Sequence, residues 1–331
     1  MSEPLVGIIA NPASGRDIRR LVAHGTVFDN NEKTAIVRRI LAGLQAVGIR
    51  RVAYMPEHDF AILPRALSDI DTSNLTVEPL DMPVLGTSAD STRAASMLVE
   101  RGARCIITLG GDGTNRAVAR ASGDVPLLPI STGTNNVFPA FVDGTLAGIA
   151  AGLLAGGHVP AHVAGRVPCL KIRVGDTLDD YALIDVVVSA SPFVGARALW
   201  DPALIREVIL SRVVPASIGI SALGGALLDH TPAGEQRPGM HITLGNGGRH
   251  VLATLAPGLV KWVGVAAHRR LAPGESVHLC PGGGTIALDG EREIVLAADS
   301  SVAVQLCADG PVVLDVPTAL EAAARAGCLT R

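Results

Sequence analysis

Apolar residues fall in short blocks along the first half of the chain, and helical periodicities fill the spaces between them. Leu5–Ala10 reads as an opening strand. Glu32 to Val47 then places Ile36, Val37, Ile40, Leu41, Leu44 and Val47 on one helical face, with Arg38 and Arg39 on the other. Gly48 ends that helix. Strands at Arg51–Met55 and Leu75–Glu78, a helix over Ala89–Arg101, a strand at Cys105–Leu109, a helix-like run from Asn115 to Ala121 and a strand at Val125–Ile130 follow. A further helix is expected from Asn136 to about Leu154. This βα alternation predicts a doubly wound parallel sheet.

Beyond Gly156-Gly157 the period shortens. Val159–Val163, Cys169–Val174, Tyr181–Ser189, His241–Leu244, Val251–Leu255, Ser276–Leu279, Glu293–Ala297, Val302–Leu306 and Val312–Val316 are β-rich, with Gly, Pro and Asp between them. They predict a mainly β C-terminal domain. The chain is therefore read as α/β, with a first domain over residues 1–157, a β-rich domain over 158–316 and a closing helix within 317–331.

The strand-to-helix junctions carry the chemistry. Gly110-Gly111-Asp112-Gly113-Thr114 lies between an apolar strand and a helix, where glycines let backbone N–H groups approach a polyphosphate and the helix points its positive end at the charge. Gly111 and Gly113 are also expected to use positive φ. A phosphate cradle normally avoids fixed negative charge, so Asp112 points either to a magnesium contact or to a base that takes a proton from an attacking hydroxyl. Asn11-Pro12-Ala13-Ser14-Gly15 follows the first strand, and Ser131-Thr132-Gly133-Thr134-Asn135-Asn136 follows another. Loops at the carboxyl ends of neighbouring parallel strands converge on one crevice, the usual ligand site of such sheets.

In order and spacing, Asn11-Pro12-x-Ser14-Gly15, Gly110–Thr114 and Thr132-Gly133-Thr134-Asn135 resemble the pattern of the superfamily of NAD kinases and diacylglycerol or sphingosine kinases. Within it, the long insertion after Gly15, ending in Phe28-Asp29-Asn30-Asn31-Glu32-Lys33, is most similar to the ATP-NAD kinase relatives of the acetoin catabolism protein X branch. The resemblance implies a two-domain fold whose C-terminal helix returns to pack on the first domain. It also implies ATP as phosphoryl donor, a divalent metal such as Mg²⁺, and Asp112 as catalytic base. Gly110, Gly111, Gly113 and Thr114 would cradle phosphate, with Asn11, Ser14 and Gly15 on one neighbouring loop and Thr132, Gly133, Thr134 and Asn135 on the other. The acceptor is read as a nucleotide-like hydroxyl compound, NAD first. A lipid or small-alcohol kinase and a non-catalytic nucleotide-binding accessory protein are the alternatives.

Composition narrows the partners. The chain has 331 residues, 48% of them hydrophobic and 18% charged, which is enough for two packed cores. A net charge of −3 and 3% aromatics argue against a nucleic-acid surface. The five cysteines are scattered without a CxxC pair, so no zinc or disulfide framework is signalled, and the close pair His158 and His162 is split by Pro160. No apolar run reaches the ~20 residues needed to span a bilayer, and the chain opens on a strand rather than a leader. A cytoplasmic protein without a membrane partner is expected, with homo-oligomerisation left open.

Three further signals lie in the second half. Ala182–Val188 resembles the NAD-kinase strand that holds an Asn-Glu pair, but Ile184 replaces the Asn and only Asp185 remains. An acid flanked by apolar residues needs either a ligand hydroxyl or an internal donor. Ser217–Gly225 reads as a substrate-cleft lining or as a small-residue packing turn. Asp289-Gly290-Glu291 resembles the lipid-kinase acids near the metal, and Asp-Gly is equally a hairpin turn.

Overall fold

The computed structural model describes residues 3–14, 29–133, 135–175, 178–194, 201–228 and 239–330. Its strands are β1 (Leu5–Ala10), β2 (Arg51–Tyr54), β3 (Thr76–Pro79), β4 (Ala103–Gly110), β5 (Leu127–Ser131), β6 (Ala164–Arg166), β7 (Cys169–Val174), β8 (Leu178–Ala182) and β9 (Asp185–Ser189). They continue as β10 (Ile205–Leu210), β11 (Gly239–Ala256), β12 (Leu259–Leu271), β13 (Ser276–Leu279), β14 (Gly284–Leu288), β15 (Glu291–Leu296), β16 (Val302–Cys307) and β17 (Val312–Leu314). The α-helices are α1 (Asn30–Ala46), α2 (Ile62–Leu67), α3 (Ser88–Glu100), α4 (Asp112–Ala119), α5 (Gly144–Gly156), α6 (Ala222–Ala226) and α7 (Val316–Arg325).

The first sheet has the order β3-β2-β1-β4-β5-β17-β6. Its first six strands run parallel and β6 runs antiparallel to β17. Because side chains alternate across a strand, β1 sends Val6, Ile8 and Ala10 to one face and Leu5 and Ile9 to the other. The first face is covered by α1, α2, α5 and α7, and the second by α3 and α4. Glycine lets α1 and α5 meet at backbone distance: a Cβ on Gly148 would run into the Ile40 carbonyl, and one on Gly144 into that of Ile36.

Two antiparallel sheets form the second half, one of six strands (β12-β11-β10-β9-β14-β15) and one of four (β13-β16-β7-β8). They enclose a core of Leu170, Ile172, Val186, Val188, Ile286, Leu288 and Val304. Val187 turns the opposite way with Val208 and Leu210, onto Ile220, Leu223 and Leu227 from the segment around α6.

Several elements differ from the sequence expectation. The single strand expected over Tyr181–Ser189 is two, because the chain leaves one sheet at Ala182 and enters the other at Asp185. The helix expected from Asn136 starts at Gly144, where the Asp143 carboxylate accepts the Thr145 N–H at 2.8 Å. Pro139 accounts for the delay, since it restricts the residue before it to extended conformations. Val159–Val163, expected as a strand, ends in a 3₁₀ turn over Ala161–Val163. The β11–β12 pair was only half legible, because Gly245, Gly247 and Gly248 interrupt the first strand and Ala, His and Arg populate the second.

Candidate active site

The order β3-β2-β1-β4-β5 reverses direction between β1 and β4, and that switch point opens the crevice where the three loops meet. Asn11 Nδ2 donates to Thr114 Oγ1 at 2.8 Å, joining the loop after β1 to the first turn of α4. The hydroxyls of Ser14 and Thr132 lie 2.9 Å apart, joining it to the loop after β5. Ser131 Oγ donates to Gly133 O at 2.8 Å, and Asn136 Nδ2 donates to Ser131 Oγ at 2.9 Å, which closes the third loop on itself. Asn11, Ser14, Gly110, Gly111, Asp112, Gly113, Thr114, Thr132, Gly133 and Asn135 thus belong to one connected set of strand ends, whereas Gly15 and Thr134 lie outside the described residues.

Asp112 is the first residue of α4, and its carboxylate reaches across to the segment after the third loop. Oδ1 accepts the Phe138 N–H at 2.8 Å, and both oxygens accept the Val137 N–H at 3.1 Å. The non-helical, bent Asn136–Pro139 stretch, read from sequence as helix, is what presents those two N–H groups. Positive φ is not the constraint on the glycines here: Gly110, Gly111 and Gly113 all lie outside that region, with Gly111 extended at φ −94° and ψ −169°. The demand is space. A Cβ on Gly111 would sit 2.8 Å from Asn136 Oδ1, and one on Gly110 would sit 2.5 Å from Thr114 Cβ, while one on Gly113 would meet only Glu291 Oε1 at 3.9 Å. Gly111 contributes no side-chain cap, so the positive end of α4 faces the crevice.

Lys33 was not among the sequence candidates. It is fully buried, and its Nζ donates to the carbonyls of Asn11 at 2.9 Å, Ser14 at 2.7 Å and Pro12 at 3.3 Å. One ammonium therefore shapes the loop after β1. A signal existed in the sequence: Lys33 stands in register with Ile36, Val37 and Ile40 on the apolar face of α1.

A second cluster couples α4 to the β-rich half. Arg116 lies between Glu293, with which it forms an ion pair, and Asp289 and Asp180, at 3.7 and 3.9 Å. Burial works against its positive charge, and the neighbouring carboxylates, Asp289 and Glu293 foremost, outweigh that and raise its pKa. Asp289 occupies the left-handed region at φ +50° in the turn from β14 to β15. Its buried carboxylate accepts N–H groups of Leu183, Ile184 and Asp185 from the break between β8 and β9. Burial pushes the Asp289 carboxyl up to about 6, against the opposing pull of Arg116 and those N–H groups.

Asp185 is buried at the start of β9 and is tied to this turn: its Oδ1 accepts the Gly290 N–H at 3.2 Å and its carbonyl the Asp289 N–H at 3.0 Å. The Ser217–Gly225 segment packs. Ile220 and Leu223 join the apolar cluster under the six-stranded sheet, and a Cβ on Gly225 would lie 2.8 Å from Pro215 Cα. Among the described residues no group of three or more His, Cys, Asp or Glu side chains is placed to hold a metal, and no helix is long and apolar enough to cross a membrane.

Residues 6–159 match the ATP-NAD kinase N-terminal domain. Residues 168–309 match the acetoin catabolism protein X C-terminal domain. Acetoin catabolism protein X of Cupriavidus necator is 40% identical over 317 residues, spanning 92% of this chain and 88% of that protein. The chain belongs to the acetoin catabolism protein X family. Among solved structures, a putative diacylglycerol kinase from Bacillus anthracis strain Sterne aligns with a TM-score of 0.48 and 12% identity, over 96% of this chain and 100% of that one. An NAD kinase from Archaeoglobus fulgidus in complex with ATP aligns with a TM-score of 0.44 and 12% identity, over 97% and 99%.

Proposed function

We propose that this protein binds ATP at the β1–β4–β5 crevice and transfers its terminal phosphoryl group to a hydroxyl of a nucleotide-like acceptor, NAD being the first candidate. The observation that supports the reading is the placement of Asp112. A carboxylate stands at the positive end of a helix beside Gly113, where an added Cβ would meet nothing closer than 3.9 Å, and two backbone N–H groups orient it. A carboxylate so held can accept the proton of an attacking hydroxyl, while the N–H groups of Gly113 and Thr114 and the side chains of Asn11 and Thr132 contact the donor. Thr134 and Gly15, on the same loops, are assigned to the donor with them.

The residues fit Mg²⁺ only in the manner usual for phosphoryl transfer, in which the ion rides on the donor's phosphates and takes one or two protein carboxylates. Asp112, which precedes Gly113, and Glu291, whose Oε1 lies 3.9 Å from where a Cβ on Gly113 would stand, would be the carboxylates to hold it. When bound, the ion neutralises charge on the donor phosphates.

A second reading is a nucleotide-binding accessory protein of acetoin catabolism that does not turn over. It is favoured by Ile184 standing where the NAD-kinase pattern has Asn, and by the internal partner that Asp185 finds in Gly290. A thermal-shift screen with ATP and dinucleotides, followed by ³¹P NMR of mixtures with Mg²⁺, separates the two. Stabilisation by ATP with a new phosphomonoester signal supports the kinase, stabilisation without product supports the accessory protein, and no response to any nucleotide overturns both.

A further inference from the structure

Arg212 follows the end of β10 and takes no part in the clusters described so far. Its position is fixed by its neighbour: the Ser211 N–H donates to Ile184 O at 2.9 Å and Ser211 Oγ to Leu183 O at 2.6 Å, which stitches the end of β10 to the break between β8 and β9. From there the side chain crosses to the first half of the chain, and its guanidinium carbon lies 5.6 Å from the centre of the Phe138 ring. Phe138 is the residue whose N–H holds Asp112. The cation therefore stands on the ring of the residue that orients Asp112, near enough for the Asp112 carboxylate to act on it.

A guanidinium has five N–H donors in a planar fork and stays charged in proteins. Here Nε is buried with no hydrogen-bond partner, and among the described residues no carboxylate forms an ion pair with Arg212. The carboxylates that act on it at longer range are Asp112 and Asp289, each already committed, one to the Val137 and Phe138 N–H groups and the other to Arg116 and the 183–185 backbone. Burial lowers the pKa of Arg212 and those two carboxylates only partly offset it. A half-buried guanidinium whose Nε is withdrawn from water without a partner, near a helix N-terminus that carries no side-chain cap, is suited to an anion.

We propose that Arg212 is a phosphate-binding residue of the crevice, its fork receiving an oxyanion of the polyphosphate that α4 faces. The second half of the chain thereby supplies a cation to a site whose loops all come from the first. This rests on the phosphoryl-transfer reading of the same crevice.

The test uses the whole protein and titrates inorganic tripolyphosphate, ATP and adenosine by calorimetry into wild type, Arg212→Met and Arg212→Lys, with melting curves for each. Arg212→Met is expected to weaken tripolyphosphate and ATP by ~10- to 100-fold, with adenosine unchanged and Arg212→Lys intermediate. Equal tripolyphosphate affinity in wild type and a folded Arg212→Met overturns the assignment, whatever its melting temperature. Should Arg212→Met fail to fold, phenylglyoxal labelling of wild type mapped by mass spectrometry decides: tripolyphosphate protects Arg212 if the proposal holds, and unchanged labelling in its presence overturns it. A wild type that binds no polyphosphate removes this proposal together with the phosphoryl-transfer reading, whereas binding that is indifferent to Arg212 removes this proposal alone.

Discussion

Arg116 Nε and Asp289 Oδ2 stand 3.7 Å apart, and this approach joins the helix that carries Asp112 to the turn that pins the β8–β9 break. Both side chains are almost entirely withdrawn from water, with 8% and 0% of their surface exposed. Removing one partner leaves a buried charge without compensation, whereas removing both does not. Arg116→Met is expected to lower unfolding free energy by about 3–5 kcal/mol, and pairing it with Asp289→Asn is expected to recover part of the loss. Urea denaturation of the two single variants and the double variant checks this; additive losses would show that the pair is not coupled.

The same carboxyl gives a pH signature. In the folded chain Asp289 is pushed up to about 6 from an ordinary 3.8, so between those values the folded state binds more protons than the unfolded one. Stability from this group is therefore greatest below about pH 4 and falls as pH rises through 6, by up to about 3 kcal/mol. Wild type should show this downward slope more steeply than Asp289→Asn when unfolding is measured from pH 4 to 7. Parallel slopes would mean that Asp289 does not titrate in that window.

Asp112→Asn tests the proposed base. The amide keeps one acceptor oxygen for the Val137 and Phe138 N–H groups but cannot take a proton, so transfer is expected to fall at least ~100-fold while ATP affinity stays within a few-fold. Single-turnover measurements beside calorimetry check both halves. Undiminished turnover would remove Asp112 from the chemistry.

Gly111 and Gly113 differ in what surrounds them, and the difference separates a turn from a phosphate cradle. Gly111→Ala places a methyl 2.8 Å from Asn136 Oδ1 and should cost stability as the third loop shifts. Gly113→Ala meets nothing closer than 3.9 Å and should leave the melting temperature nearly unchanged while weakening ATP, because on the proposed reading the added methyl stands where a phosphate approaches. Full ATP affinity in Gly113→Ala would show that this part of the loop serves the fold alone.

Lys33→Met removes the cation that gathers the half-buried Asn11, Pro12 and Ser14 carbonyls and takes that donor from all three. A loss of about 1–3 kcal/mol is expected, accompanied by faster amide exchange over residues 11–14. Exchange confined to its wild-type rate there would show that Lys33 does not order the loop.

The three loops were legible because each combines a strand end with glycine and hydroxyl or amide side chains, a local pattern. The doubly wound sheet was legible from the period changes that flank them. Arg116, Glu293 and Asp289 were not legible as a group, since the contacts that unite them join distant parts of the chain and no local spacing encodes them. Asp185 illustrates the limit from the other side. Sequence reasoning required a donor for it, and the structure supplies the Gly290 N–H, which sequence could not place because the β14–β15 turn had first to be brought against β9. The Asn136–Pro139 stretch failed for a different reason: its apolar residues mimic a helical start, and only the proline argued otherwise.

The pairing of β17 with β5 carries a consequence for how the chain reaches its native state. As the polypeptide emerges during synthesis, β5 is complete long before β17 exists, so the first sheet presents open amides and carbonyls along that border near Leu127, the end of β5 that Ala140 does not cover. The apolar side of α5 likewise awaits Ala319 and Ala323 of α7. A chain cut anywhere between residues 158 and 311 keeps every loop of the crevice yet exposes that border permanently, and such a fragment is primed to recruit a foreign strand before it can serve as an independent nucleotide-binding unit.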